Sequence, residues 1–359
     1  MNKKNKADCT KALMAWYSVN KRSLPWRDEV SPYRSLVSEI MLQQTRVSYV
    51  MNYFARFMTR FPTIQDLSKA TEEEVLSYWQ GLGYYSRARN LHKAAKMVVE
   101  LGAFPSTYKE LQKLPGVGVY VAGAIASIAF NVDTPAVDGN HHRILSRLFC
   151  SNGSRKEMWD LAESLLPKGQ AGDFNQALMD LGSSICIPKV PRCDGCPLKS
   201  YCKAYLSKTV AQYPPKKKKK VVPVRKRFYV YLLNEKGQAC VAMRPSKGLY
   251  GGLFEFPGFF AENTEELKTQ WKEEFGSDLS VEKKLGEIRH TLTHMHIEAQ
   301  LWKCVATPIV KSAFYTEVRW VFSSNEVPFS TLSKKIYDIP QSVVQLELFA
   351  SDTIIEEKD

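Results

Sequence analysis

The sequence predicts a multidomain protein, an all-α front half followed by an α+β back half, and three observations carry that prediction. Apolar residues recur at helical spacing, with few turn signals, through Glu72 to Trp79, Arg87 to Leu101 and Val119 to Phe130. Further on, Phe228 to Leu233 and His296 to Val305 are rich in Tyr, Val, Leu and Ile and read as strands. Between the halves lies Tyr213-Pro214-Pro215 and then Lys216 to Lys220 with Pro223, a segment that repels itself and cannot build a packed core. At 359 residues the chain is also long for one core. The expected organisation is a helical domain over 1–207, a basic linker over 208–226 and an α+β domain over 227–359.

A net charge of +13 suggests a polyanionic partner. Eight basic residues and no acid lie between Lys216 and Arg227, however, so much of the excess belongs to the linker. That run reads equally as a solvated tether or as a segment lying along a phosphate backbone. Lys3, Lys4 and Lys6 lead only to the short run Ala12 to Trp16, and no apolar stretch approaches membrane-spanning length. The expectation is a cytoplasmic monomer without a signal peptide or membrane contact.

Taken in order, the first chemically suggestive place is Leu36 to Thr45, where Glu39 sits among apolar side chains. On a helix Ser35, Glu39, Gln43 and Arg46 share a polar stripe, which favours a surface glutamate. If the stripe instead lines a dry pocket, desolvation raises the carboxyl pKa and makes Glu39 a proton donor. Next, Thr107 and Glu110 fit a capping box that opens a short helix ending at Pro115-Gly116-Val117-Gly118. Glycines between two helices allow close approach, and the amides opening the second helix suit a phosphate, although an ordinary helix connection fits as well. Downstream, Asp138 stands where a helix N-cap belongs, before Ile144, Leu145 and Leu148. Amide hydrogen bonds and the helix dipole there favour its ionised form. An acid paired with an ionised carboxylate is what cleavage at an anomeric carbon requires.

Cys186, Cys193, Cys196 and Cys202 follow with spacing C-x6-C-x2-C-x5-C. Thiolate-only ligation suits zinc or an iron-sulfur cluster, and the single short knuckle, Cys193 to Cys196, favours one 4Fe-4S cluster. Pro188, Pro191, Gly195 and Pro197 mark the intervening segment as a loop. The remaining cysteines, Cys9, Cys150, Cys240 and Cys304, are scattered and read as packing residues.

Leu114-Pro115-Gly116-Val117-Gly118, Val137-Asp138-Gly139-Asn140 and the four cysteines together resemble the helix-hairpin-helix DNA glycosylases that carry an iron-sulfur cluster. Leu24-Pro25-Trp26-Arg27, Ser38 to Thr45 and Gly81 to Asn90 are similar to the MutY-type adenine glycosylases within them. Arg244-Pro245, Gly248 to Leu253 and Phe256-Pro257 resemble that family's Nudix/MutT-like C-terminal domain, so the resemblance covers nearly the whole chain. It implies a six-helix barrel over about 30–136, with the cluster subdomain formed by 1–29 and 137–207. It also implies a base-excision enzyme acting on double-stranded DNA, which flips out adenine mispaired with 8-oxoguanine or guanine and hydrolyses its glycosidic bond. By that resemblance Glu39, Asp138 and Tyr120 would take the catalytic positions. Arg22, Leu24, Trp26, Val47 and Gln176 would line the adenine pocket, while Gln44, Tyr84, Gly116 and Gly118 would contact DNA. Leu292, Thr293 and His294 would occupy the 8-oxoguanine loop, and the cluster would hold a basic loop with Lys189, Arg192 and Lys199.

Two other readings stay open. Endonuclease III-type relatives carry a lysine where Tyr120 stands and cleave the strand through a Schiff base; tyrosine cannot, which implies a monofunctional enzyme. A non-catalytic DNA-binding redox sensor would dispense with Glu39 or Asp138, and both are present. In the back half Trp271 to Gly276 retains only part of a magnesium-binding carboxylate pattern, so nucleotide hydrolysis is not expected. Thr293 and Leu292 replace the family's usual serine and phenylalanine, and His141-His142 replaces apolar or basic residues. His290, His294 and His296 alternate as on one strand face, fitting packing or DNA contact at least as well as metal.

Overall fold

The computed structural model describes residues 1–215, 221–306 and 312–340; the lysine run 216–220, whose path the sequence leaves open, lies outside them. The chain divides into two compact units, Met1–Ala70 with Arg89–Lys218, and Thr71–Ala88 with Lys219–Asp359.

The first unit is helical. Its elements in chain order are α1 (Lys3–Asn20), α2 (Pro25–Asp28), α3 (Pro32–Leu42), α4 (Val47–Arg60) and α5 (Ile64–Lys69); α6 (Glu72–Trp79) falls in the other unit. Then come α7 (Ser86–Glu100), α8 (Tyr108–Leu111), α9 (Val119–Phe130), α10 (Gly139–Phe149), α11 (Arg155–Glu163), α12 (Ala171–Ser184) and α13 (Lys203–Leu206). The starts follow sequence chemistry. Ser31, Thr63, Thr107 and Asp138 each accept an amide hydrogen bond from the third helical residue, satisfying a donor that the helix leaves unpaired.

Helix α9 is apolar on every side because it is surrounded. Val121 to Ser127 are all buried, α3 packs on one side, and α12 packs on α9 as well as on α1 and α10. Small residues make these approaches possible. A Cβ on Gly123 would lie 2.2 Å from the Pro135 carbonyl oxygen, and one on Gly172 would lie 2.7 Å from that of Ser127. The buried amide of Asn175 on α12 completes the fit, its Oδ1 accepting from the Ala136 amide at 3.0 Å and its Nδ2 donating to the Thr134 carbonyl at 3.0 Å. The irregular segment between α9 and α10 is therefore pinned just before Asp138. Beyond it Leu13, Leu145, Leu148, Phe174, Leu178 and Leu181 form a core against which Cys186, Cys196 and Cys202 pack.

The second unit holds two sheets. One has the order β4-β1-β6-β5 and the other β3-β2-β7, from β1 (Val224–Tyr231), β2 (Ala239–Met243), β3 (Phe254–Glu255), β4 (Gly258–Phe259), β5 (Leu279–Thr291), β6 (His296–Ala306) and β7 (Glu317–Val321). β1 and β6 are parallel, and β5 and β6 form an antiparallel hairpin. Helices α14 (Thr264–Phe275) and α15 (Thr331–Tyr337) belong to two separate apolar cores, with Trp271 in one and Ile336 in the other. Within this unit Arg319 forks onto Glu73 at 2.8 and 3.1 Å, and the Tyr85 hydroxyl donates to the Phe329 carbonyl at 3.2 Å.

Two sequence readings are corrected. Helix α3 stops at Leu42, so Gln43 and Arg46 do not continue the stripe of Glu39, and Ser35 and Glu39 are themselves buried. His290 and His296 lie on the paired strands β5 and β6, and His294 lies in the turn between them, so the three do not alternate along one strand. The Gly123 contact gives a direct test of the α9 packing. Gly123→Ala drives a methyl group into backbone and is expected to lower unfolding free energy by about 1–3 kcal/mol, measured by urea denaturation.

Candidate active site

Three side chains converge from α3, α9 and the start of α10. Glu39 is buried, with 4% of its surface exposed, and its Oε2 accepts a 2.5 Å hydrogen bond from the Tyr120 hydroxyl. Burial pushes the Glu39 carboxyl up to about 7, and the charge of Asp138 adds to the rise; the Tyr120 bond and the positive Arg27 pull the other way. Tyr120 is pushed well above its ordinary value by burial and then by Glu39 and Asp138, so it stays a phenol and a donor. Its response to both carboxylates places all three groups in one electrostatic neighbourhood.

Asp138 resolves the same burial in the opposite direction. Burial opposes its ionisation, but the side chain of His141, the His141 amide and the side chain of Asn140 outweigh it and hold the carboxyl below the usual range. The bonds are short: His141 N and Nδ1 reach Oδ1 at 2.8 and 2.7 Å, and Asn140 Nδ2 donates to Oδ2 at 2.8 Å. Near neutral pH a carboxyl that still holds its proton in part thus shares this neighbourhood with one that favours its anion. Arg143 orients Asn140, donating to its Oδ1 at 2.9 Å while also donating to the carbonyls of Gly182 and Cys186, both at 2.7 Å.

The remaining predicted residues differ in their surroundings. Leu24 and Trp26 are buried at α2, where Trp26 meets the Phe54 ring edge-on at 5.4 Å. Arg22 is committed to Asp180, its Nε donating at 2.7 Å, and Arg27 binds the same carboxylate at 2.8 and 3.1 Å. Val47 and Gln176 are half-buried. Gly116 adopts φ of 81°, and a Cβ there would press to 2.8 Å from Asn90 Cβ, so the hairpin requires glycine. Gly118 caps α9 without a side chain, leaving the first amides of that helix unpaired by a cap. Gln44 and Tyr84 are exposed and sit at φ of 57° and 48°, left-handed backbone that is uncommon for such residues and concentrates at functional positions. In the second unit Leu292 packs on the sheet core, while Thr293 and His294 are exposed in the β5–β6 turn.

Asp180, Arg143 and Asn175 are surroundings of the site that sequence reasoning did not single out, while Asn140 and His141 entered it only as a motif member and as a departure from the family pattern. Asp180 and Asn175 act across more than thirty positions of chain, and no local pattern reveals such partners.

Cys186, Cys193, Cys196 and Cys202 line one cavity together with Arg147, Ile185, Pro191, Lys199 and Tyr205. Arg147 clamps the loop, donating to Cys186 Sγ at 3.3 Å and to the Ile187 and Pro188 carbonyls at 2.9 Å each. Among the described residues, no group of three or more His, Cys, Asp or Glu side chains is arranged to hold a single metal ion.

In the second unit Glu255 is bound by Arg227 at 2.6 Å and Arg244 at 2.7 Å. Glu274 accepts the Phe314 amide at 2.7 Å and the Ser312 hydroxyl. Of the described residues, no helix is long and apolar enough to cross a membrane.

Residues 37–168 match the HhH-GPD superfamily base excision DNA repair protein model, and residues 228–338 match the NUDIX domain. An adenine DNA glycosylase of Buchnera aphidicola subsp. Baizongia pistaciae is 38% identical over 79% of this chain and 82% of its own. The chain belongs to the adenine DNA glycosylase family. Another member, from Homo sapiens, is 34% identical over 92% of this chain and 73% of its own. This family member is accordingly a base-excision DNA glycosylase with a Nudix-like C-terminal domain. A thermostable thymine-DNA glycosylase superposes with a TM-score of 0.54 at 30% identity, over 57% of this chain and 98% of that one. Endonuclease III in a non-covalent complex with DNA gives 0.52 at 25% identity, over 58% and 98%.

Keeping Glu39 dry has a cost in stability. Its folded pKa of about 7 exceeds the ordinary 4.5, so the stability it contributes is fully present below pH 4.5 and lost as pH rises through 7. Glu39→Gln is therefore expected to raise unfolding free energy by about 3 kcal/mol at pH 8 and by little at pH 4, read from urea unfolding at both values.

Proposed function

We propose that the protein removes adenine mispaired with 8-oxoguanine or guanine, leaving an abasic site in an intact strand. The observation that carries this is the pair of carboxyls held in opposite protonation states, Glu39 raised and Asp138 lowered. Glu39 protonates N7 of the flipped base, the C1′–N9 electron pair leaves with adenine, and Asp138 stabilises the deoxyribosyl cation. Water then adds at C1′ and releases a proton. The Tyr120 hydroxyl orients the acid. A phenol offers no amine to form a Schiff base, which supports a monofunctional outcome.

On this reading Arg22, Leu24, Trp26, Val47 and Gln176 bound the base, and Gln44 and Tyr84 enter the duplex from their left-handed turns. Gly116 and Gly118 offer backbone amides to a phosphate. Thr293 and His294 meet 8-oxoguanine from the exposed β5–β6 turn, and the engaged state of Glu255 and Glu274 supports recognition without nucleotide hydrolysis.

Single-turnover excision from a duplex with adenine opposite 8-oxoguanine tests this. Strand cleavage is expected only after hot alkali, with the rate constant falling about tenfold per pH unit above the Glu39 pKa of about 7. Glu39→Gln and Asp138→Asn are expected to bind DNA and excise no adenine. Cleavage without alkali would sink the monofunctional assignment, and near-normal excision by either variant would remove that residue from its role.

The cofactor proposed is one 4Fe-4S cluster held by Cys186, Cys193, Cys196 and Cys202. Their convergence on a single cavity, beside Arg147 and Lys199 to balance thiolate charge, supports it. A single zinc with sulfur at about 2.3 Å would draw the four thiols to a point, whereas a cluster occupies a space between them. When bound, it supplies structural cross-linking of the loop that carries Lys189 and Arg192. Purified protein is expected to be brown with absorbance near about 400 nm; four-thiolate zinc in colourless, active protein would overturn this.

A further inference from the structure

His141 is the N3 residue of α10, and its ring is completely buried. An N-cap carboxylate ordinarily accepts the N3 amide and no more from that residue. Here both donors of His141 fall on one oxygen, the amide at 2.8 Å and Nδ1 at 2.7 Å from Asp138 Oδ1. An ionised carboxylate only accepts, so Nδ1 carries the hydrogen. Nε2 has no hydrogen-bond partner among the described residues, so the polar contacts of the ring all run through Nδ1. The ring therefore donates through Nδ1 to Asp138.

The count of acceptor sites gives this arrangement a direction. Each carboxylate oxygen offers about two lone-pair sites. Oδ1 has both filled by His141, while Oδ2 has one filled, by Asn140 Nδ2 at 2.8 Å. The remaining open site is on Oδ2. We propose that His141 is a positioning residue for excision: by saturating Oδ1 it fixes the plane of the Asp138 carboxylate and presents Oδ2 to the developing positive charge on the sugar. This rests on the excision reading above. A purely apolar side chain at 141 would leave Oδ1 with the amide bond alone, so the carboxylate plane would be held by that bond and the Asn140 bond only.

The test compares His141→Leu, His141→Asn and His141→Gln with wild type for single-turnover adenine excision, DNA Kd and thermal midpoint. Leucine is expected to slow excision by about 10- to 100-fold while Kd stays within about two-fold, since the lost bond acts on the charged group and not on DNA binding. Asparagine places its amide nitrogen close to the position of Nδ1 and is expected to restore the rate to within about three-fold of wild type. Glutamine, reaching instead towards Nε2, is expected to remain slow. Equal rates for the asparagine and glutamine variants would overturn the proposal, as would leucine at the wild-type rate. Should leucine fail to fold, the asparagine and glutamine pair decides. A wild type that excises no adenine overturns the excision reading itself, and the unsubstituted protein alone distinguishes that outcome from failure of His141.

Discussion

The first unit is organised around keeping one carboxyl dry. Glu39 is held on a helix whose neighbours Ser35, Leu36, Val37, Ser38, Ile40 and Met41 are all buried, and the helix packs against the apolar α9. That environment alone would raise the carboxyl further, and the Tyr120 bond limits the rise. The result is an acid poised near neutrality, where a proton donor is both populated and willing to give up its proton. Close backbone approach also closes other faces of α9, towards the segment that follows it and towards α12. Gly123 against Pro135 and Gly172 against Ser127 are the places where that approach is tightest.

Helix α10 then joins two centres of chemistry on one rigid element. Its first turn holds Asp138 as cap, Asn140 and Arg143 pass hydrogen bonds on to the Cys186 carbonyl, and Arg147 one turn later grips Cys186 and the carbonyls beyond it. Gly182 on α12 admits Asn140, since a Cβ there would fall 2.6 Å from the Asn140 Cβ. The cysteine loop and the Asp138 carboxylate therefore share a hydrogen-bonded frame, and the loop's geometry bears on how the carboxylate is oriented.

Much of this architecture is legible in the amino-acid sequence. Helix periodicity locates α6 and α9 with their bounds, and the capping chemistry of Thr107 and Asp138 marks two helix starts to the residue. The change to a β-rich half is equally plain from composition. Glu39 is harder. Periodicity assigns it to a polar stripe that suggests solvent, and that inference fails because the stripe ends at Leu42 and because serines are small enough to be buried beside a carboxyl. The histidines mislead for a related reason: alternation signals one strand only when no turn intervenes, and the 292–295 turn does. Asp180, Asn175 and Glu255 leave no trace in sequence because their partners are brought to them by tertiary folding alone.

Position 120 also constrains how such a catalyst can change over evolutionary time. The Tyr120 oxygen rests 2.5 Å from the acid. An amine introduced there would lie beside a carboxyl that favours its charged form, in a buried site that opposes it, and the two groups would compete for one proton. On the excision reading, positions 39 and 120 are therefore coupled: chemistry gained at one is set against the proton that the other must hold.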